Sequence, residues 1–572
     1  MDKITNYIAN DTLNLWREEG NRQIPQNFEV FRNLVAQAKD YLKQGNHNMA
    51  AIYGDIAVEY ASLNQHCGLF VSPELENLLL TIGKEALQSS SHRSENRSLH
   101  EMPKNILHIV YGVWNTGGHS RLLWRWIQQD AERSHSVVLT EMRLDDTPKV
   151  FREAVYKSHG KIYALNKTIG NFISRAKRLR EIAASADMVV LHTMHDGTLP
   201  VIAFANREQS PPIIYVNTAD ERFWTGVCIS DVVANLRDSG MRLSQKRRGV
   251  EPMRNMVLPT IVEPTRRILS RSEAKRQLGI SENSVLLLSI ARGVKYNTSD
   301  GISFADVHLP LLKKHKQAIL MVVGPGNRKD WSEAIQQTQG RIRVFGDTPD
   351  TDVFYQAADI YVDSYPFVSI TSLLEAGSYG LPLVSRYPYS SDACEIFGAD
   401  MPGLTGNLIR VQNLGEYTSI LSRLVEDEEF RLSLGEATRK KITEIHTANN
   451  WQQSLEDVYL RAATLPRINV TSAPQEEIFV GEPDVFLSKV CPFKKIDVEQ
   501  LILNRVKVMP FDKRFSCWIR QIKMGNFRRI SLMNLFAPEW FYENLWLYAH
   551  LQKFYRRLRY GSWNPSLPAR QR

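Results

Sequence analysis

From Asn105 onward, short runs rich in Val, Ile and Leu alternate with stretches of helical periodicity, and the alternation occurs in two separate series. The first contains NILHIVYGV, SHSVVLTEM, GKIYAL, DMVVLHTM, PIIYVNT and NMVLPTIV. The second contains VLLLSIAR, AILMVVGPG, RIRVFGD, DIYVDSYP and LPLVSRY, separated by helical stretches such as SFADVHLPLLKKH and SITSLLEAGSYG. Strands that alternate with helices build parallel sheets from βαβ units. The expected fold is therefore α/β, with two Rossmann-like doubly wound domains over 104–265 and 266–465. Ligands of such sheets bind at the carboxyl ends of the strands. Two sheets facing each other would enclose a cleft between the domains.

The flanks differ in texture. Residues 1–86 read as a helical segment, a hairpin broken at Gly45-Asn46, and 87–103 has the Ser-rich composition of a linker. Residues 466–572 form an aromatic-rich extension, expected to be helical. The net charge of +9 is concentrated there: residues 481–572 hold 17 Lys and Arg against 7 Asp and Glu. The rest of the chain is close to neutral, which argues against a nucleic-acid binder. The five cysteines (Cys67, Cys228, Cys394, Cys491, Cys517) have no metal-ligand or CxxC spacing and are expected as free thiols in a reducing compartment. No apolar run is long enough for a bilayer span and the N-terminus lacks a secretory pattern, so a cytoplasmic protein is expected.

The window AADIYVDSYPFVSITSLLEAGSYGLPLVS (357–385) carries the most chemistry. A strand ends near Asp363, and a helix starts around Ser369, Thr371 and Ser372. Hydroxyl residues there are expected to cap the first N–H groups, and such a helix start is also an anion site. Glu375 lies one turn further on, placed to accept hydrogen bonds from ribose hydroxyls. Arg292 and Lys295 follow the first strand of the second series. Gly324 opens the next strand-to-helix turn. In the first series, Gly117 and Gly118 permit close backbone approach after the first strand, with His119 and Arg121 next to them. His192, His195 and Asp196 end another strand, and Asp220 lies in NTADERFWTG, where Phe223 and Trp224 read as packing. Asp350-Thr-Asp352 is formally a DxD but precedes a helix and reads as a cap rather than a metal ligand.

This window resembles the sugar-nucleotide site of GT-B glycosyltransferases. LLEAGSYGLPLV is similar to the second half of the group-1 E-x7-E pattern, with Glu375 in its second position and Phe367 where the first Glu would stand. The DSYPFVSITSLLEA loop resembles the corresponding region of O-linked N-acetylglucosamine transferases. The resemblance implies a GT-B fold and transfer of a hexosyl unit from a nucleoside diphosphate sugar to an acceptor hydroxyl on a glycan, a lipid-linked molecule or a protein. It implies no metal and no cofactor besides the donor. Arg292, Lys295, Gly324, Ser369, Thr371, Ser372 and Glu375 would hold the donor, and the RVFGD segment with Phe345 would read the base. His195, His119 and Asp196 would stand beside the sugar or move a proton, and Asp220 would contact acceptor or donor. Phe367 leaves retention and inversion both open. The alternative is a catalytically silent GT-B-like partner subunit that keeps the fold and binds through its cleft or tail.

The tail sequence WFYENLWLYAHLQKFYRRLRY alternates aromatic and basic residues. An amphipathic helix of this kind either packs its aromatic stripe on the body or docks on an anionic membrane surface at the inner face.

Overall fold

The computed structural model describes residues 2–63, 66–87, 102–192, 197–263, 267–348, 350–389, 400–468, 476–491, 496–525 and 535–544. Two parallel sheets dominate. The first runs β1 (Asn105–Val110), β2 (Ser134–Leu139), β3 (Ile162–Ala164), β4 (Met188–His192), β5 (Ile213–Asn217), β6 (Val232–Asn235) and β7 (Asn255–Val257). Their order is β3-β2-β1-β4-β5-β6-β7. The second runs β8 (Val285–Ile290), β9 (Ala318–Val323), β10 (Ile342–Phe345), β11 (Ile360–Val362), β12 (Leu383–Arg386) and β13 (Leu408–Val411), in the order β10-β9-β8-β11-β12-β13. These are two doubly wound domains in the GT-B arrangement. Helices cover both faces, so β4 and β9 are buried at every position, which explains their continuous apolar runs.

Each sheet reverses its winding once, between β1 and β4 and between β8 and β11. At β1 the register sets Val110 opposite both Leu139 and His192. Crevices open at such reversals, outside the carboxyl ends of the strands. The loops after β1, β8 and β11 therefore carry residues that meet between the domains. Two strands, β6 and β13, were not among the expected runs. Each has only four residues, and Arg410 interrupts the apolar pattern of β13.

The helix Ala448–Thr464 closes the second series in sequence but packs on the first sheet. Trp451, Leu455, Val458 and Tyr459 share a core with Ile106, Trp126 and Ile214. Trp451 Nε1 donates to the Pro259 carbonyl at 2.7 Å.

The N-terminal segment comprises three helices, Asp2–Lys43, His47–Leu63 and Pro73–Ala86. The first two form the expected hairpin, turning at Gly45 with φ of 71°. All three join the core beneath the first sheet. The third crosses the helix Thr198–Ala203 so closely that a Cβ on Gly83 would stand 2.3 Å from the Ile202 carbonyl oxygen. The tail helices Val498–Arg505 and Phe511–Lys523 lie on this layer. Leu501, Val506 and Met509 enter the same core, and Arg505 pairs with Asp55 and Glu59. The described tail is thus packed on the body. Most of the expected linker (88–101) and of WFYENLWLYAHLQKFYRRLRY (from 545) lies outside the described residues. Cys67, Cys228, Cys491 and Cys517 are free thiols, and Cys394 lies outside the described residues. No helix among the described residues is long and apolar enough to cross a membrane.

Candidate functional site

A cleft of about 450 Å³ lies between the two sheets. His119, Arg292, Lys295, Gly324, Ser369, Thr371, Ser372, Glu375, Gly117, Gly118 and Asp220 all line it. Phe345 does not, and His195 and Asp196 lie outside the described residues.

Two helix starts converge here. The helix Gly118–Gln129 follows β1, and Ile370–Ser378 follows β11. Gly117 has φ of 110°, a conformation that favours glycine. A Cβ on Gly118 would stand 2.2 Å from Thr371 Oγ1, so the absence of a side chain there permits the domains to close. Leu122, Leu123, Trp126 and Ile127 bury one face of the first helix. Arg121 and Arg125, four residues apart, share the face that meets the second domain. The positive ends of both helix dipoles therefore bear on the same space.

Ser369 stands at the start of the second helix but does not cap it with its side chain. Its hydroxyl lies 3.1 Å from Ser372 Oγ. Asp363 does the organising instead: one carboxylate oxygen accepts the N–H groups of Ser364 and Ser369, and the other accepts Ser385 Oγ. Burial pushes Asp363 up to about 6, while the Ser369 N–H and the Lys295 ammonium pull the other way. Likewise Thr351, without a side-chain cap bond, precedes the helix Asp352–Ala357, so neither aspartate of the DxD is the expected cap.

Lys295 donates to the Val368 carbonyl at 2.8 Å and lies 4.9 Å from the centre of the Phe367 ring. Phe367 therefore presents a π face to a cation where the group-1 pattern has a carboxylate. Burial lowers Lys295 to about 8, with Asp363 opposing and Arg292 reinforcing the shift. Arg292 is exposed at the rim. Gly324 has φ of 115°, and a Cβ there would meet the Ala291 carbonyl oxygen at 2.0 Å. The Phe345 carbonyl accepts the N–H groups of both Gly324 and Gly326, and its ring packs 5.1 Å from that of Phe354. Phe345 thus shapes the turn beneath the cleft.

Glu375 is buried and committed. Arg121 Nη1 donates to its two oxygens at 2.7 and 2.8 Å, Arg125 Nη2 to Oε1 at 3.0 Å, and Tyr355 OH to Oε2 at 3.3 Å. Burial alone would raise this carboxyl, but the two guanidinium groups outweigh it and hold it below the usual range. Arg125 and Tyr355 were not singled out in the sequence. The four-residue spacing from Arg121 was the available signal for Arg125. Thr116 and Asp347 add a second bridge across the cleft at 3.0 Å.

Asp220 lines the cleft, but Arg237 binds both its oxygens at 2.7 Å. Burial raises it and Arg237 outweighs that, leaving it an anion held by its own domain. Phe223 and Trp224 are buried, and Trp224 stacks on Tyr215 at 3.8 Å.

His119 Nδ1 lies 3.2 Å from Thr218 Oγ1, and burial pushes its imidazole down to about 4. It is neutral at ordinary pH and serves as a hydrogen-bonding group. Beside it, His192 opens a buried row of imidazoles: His192 Nε2 to His108 Nδ1 at 2.9 Å, and His108 Nε2 to His135 Nδ1 at 2.9 Å. The row ends with His135 Nε2 at 2.9 Å from the Asp130 carbonyl.

Residues 270–441 match the family of glycosyl transferases group 1. The matched range contains the loops after β8 and β11 and the helix that bears Glu375. No curated protein matches the chain. Among solved structures, Anabaena Alr3699/HepE in complex with UDP is similar at 15% identity, covering 62% of this chain and 98% of its own, with a TM-score of 0.49. A glycosyltransferase from Rickettsia africae is similar at 12% identity, covering 62% and 98%, with a TM-score of 0.49. A Thermobaculum terrenum O-GlcNAc transferase mutant is similar at 16% identity, covering 80% and 84%, with a TM-score of 0.42.

Proposed function

We propose that this glycosyltransferase moves a hexosyl unit from a nucleoside diphosphate sugar to an acceptor hydroxyl on a glycan, a lipid-linked molecule or a protein. One observation carries this reading: two helix starts and the Arg292–Lys295 pair bear on one interdomain cleft at the winding reversals of both sheets. Charge develops on the diphosphate as the glycosidic bond breaks, and fixed cations and helix dipoles stabilise it there. Arg292 and Lys295 supply the positive charge that a metal ion supplies in other phosphate sites. The N–H groups at the start of Ile370–Ser378 orient the same group. Glu375 faces the ribose, and ribose hydroxyls would displace part of its arginine pairing. His119, being neutral, offers a hydrogen bond to the sugar rather than a strong base.

Phe367 favours a second reading, in which the cleft binds nucleotide but transfers nothing. Calorimetry with a panel of nucleoside diphosphates, on wild type beside Lys295→Ala and Glu375→Ala, tests the donor site. Binding of one nucleotide that both substitutions weaken supports it, and no binding to folded wild type refutes it. Hydrolysis or transfer from the matching nucleotide sugar then separates the enzyme from the silent subunit.

A further inference from the structure

Every exposed phenylalanine among the described residues lies in the C-terminal extension: Phe479, Phe511, Phe515, Phe536 and Phe541. Three of them form one cluster. The Phe511 ring lies 6.3 Å from Phe515 and 6.2 Å from Phe536, and Phe515 lies 5.9 Å from the half-buried Trp518. Exposures of 50%, 43% and 66% for the three phenylalanines mean that this row leaves the body rather than entering it. Scattered surface apolar residues are ordinary, but exposed aromatic rings gathered into one cluster mark a contact surface.

The charges around the cluster are sorted by side. Glu539 pairs with Arg175 at 2.7 Å and Glu543 with Arg143 at 3.0 Å, both arginines of the first domain. Glu499 accepts from Gln521, and Asp484 is held by His66 and Arg247. The acids of the extension are thus largely turned inward. Arg520 and Lys523, on the same helix as Phe511 and Phe515, are exposed and have no carboxylate at ion-pair distance among the described residues. Asp512 is the one exposed acid of that helix. In sequence, Arg528, Arg529, Lys553, Arg556, Arg557 and Arg559 follow close behind.

We infer that the Phe511–Phe515–Phe536 cluster is a docking surface for an anionic lipid bilayer. The phenylalanine rings would enter the interface between headgroups and acyl chains, and the flanking bases would meet the negative surface. The charge sorting selects this partner over a neutral apolar one. The surface lies outside the cleft, so the inference stands apart from the proposed transfer reaction.

Co-sedimentation of the full chain with vesicles tests it. Vesicles of phosphatidylcholine and phosphatidylglycerol in equal parts are compared with phosphatidylcholine alone. The expected result is at least about tenfold stronger binding to the mixed vesicles, weakened by high salt. The triple variant Phe511→Ser, Phe515→Ser, Phe536→Ser should lose about tenfold of that binding while unfolding at the wild-type temperature. Arg520→Gln with Lys523→Gln should weaken it less and reduce its salt dependence. Ile169→Ser, an exposed apolar site on the first domain, should change nothing. Absence of binding to mixed vesicles, binding equal on both vesicle types, or binding indifferent to the triple variant would overturn the inference. Protection of residues 545–560 from protease in the vesicle-free chain, lost in the triple variant, would instead assign the cluster to the chain's own terminal segment.

Discussion

Arg121 and Glu375 bridge the two domains at 2.7 and 2.8 Å, and Arg125 reinforces the pair from one turn further along the same helix. Glu375 therefore has two partners in the first domain and one, Tyr355, in its own. The residue proposed to hold a ribose is also the residue that bridges the two domains.

Removing the carboxylate should cost more than removing one cation. Glu375→Ala leaves Arg121 and Arg125 without their common buried partner, at an expected loss of about 3–5 kcal/mol. Arg121→Met leaves Glu375 with Arg125 and Tyr355 and should cost less. Urea unfolding of the two single variants and the double variant gives the coupling. Additive losses would show that the pair does not hold the domains together.

Lys295 ties nucleotide affinity to pH. Its ammonium is lowered to about 8 in the folded chain, below the ordinary lysine value, chiefly by burial. A bound diphosphate would raise it again. Affinity should thus be nearly flat below pH 8 and fall above it, with a proton taken up on binding. Folding stability should move the other way. Between the folded value and the ordinary one, the unfolded chain binds more protons, so this residue's contribution to stability rises with pH. Calorimetry in buffers of different ionisation enthalpy measures the proton uptake. Lys295→Met should abolish both the uptake and the alkaline loss.

Gly118 is a steric condition for closure. Gly118→Ala places a methyl group 2.2 Å from Thr371 Oγ1, so one of the two helix starts must retreat. The expected loss in nucleotide affinity is roughly tenfold, or about 1.4 kcal/mol. Thr371→Ala removes the colliding oxygen, and the double variant should bind nucleotide about as well as Thr371→Ala alone, whatever that hydroxyl itself contributes. A double variant no better than Gly118→Ala would place the constraint elsewhere.

Much of this arrangement was legible in the sequence. Buried parallel strands such as VLLLSI and AILMVV are apolar at nearly every position, so both sheets announced themselves. The loops after β1, β8 and β11 were found because glycines and cations follow strands there. Length alone did not hide β6 and β13, since β10 and β12 are as short; in β13, Arg410 interrupts the apolar pattern. Partnerships across the cleft were less visible still. Arg121 and Glu375 stand 254 residues apart, and nothing local in either helix says which carboxylate an arginine will meet. The expected Ser369 cap went to Asp363 because the intervening loop folds back, which depends on tertiary contacts rather than on the helix start. The histidine row was hidden because His108, His135 and His192 stand on three different strands and become neighbours only through β-pairing in the first sheet.

That row has a fixed proton order. The Asp130 carbonyl at 2.9 Å and the Asp130 carboxylate at 3.3 Å can only accept, so His135 Nε2 carries a hydrogen, and wherever the ring is neutral its Nδ1 is an acceptor. His108 Nε2 then donates to it, leaving His108 Nδ1 to accept from His192 Nε2. His192 Nδ1 is left as a buried lone pair with no hydrogen-bond partner among the described residues. Burial, then neighbouring imidazoles, hold His108 and His192 far below the ordinary histidine range. Nitrogen-15 spectra of histidine-labelled protein should show the Nε2–H tautomer for His108 and His192. The His108 and His192 signals should not titrate between about pH 5 and 8, where an ordinary histidine would. His108→Phe breaks the row in the middle and strands His192 Nε2–H and His135 Nδ1. Two unpaired buried polar atoms, at about 1–3 kcal/mol each, should lower stability by ~2–6 kcal/mol. A loss under ~1 kcal/mol, or an Nδ1–H tautomer at His192, would show that the carbonyl of Asp130 does not set the order of the row.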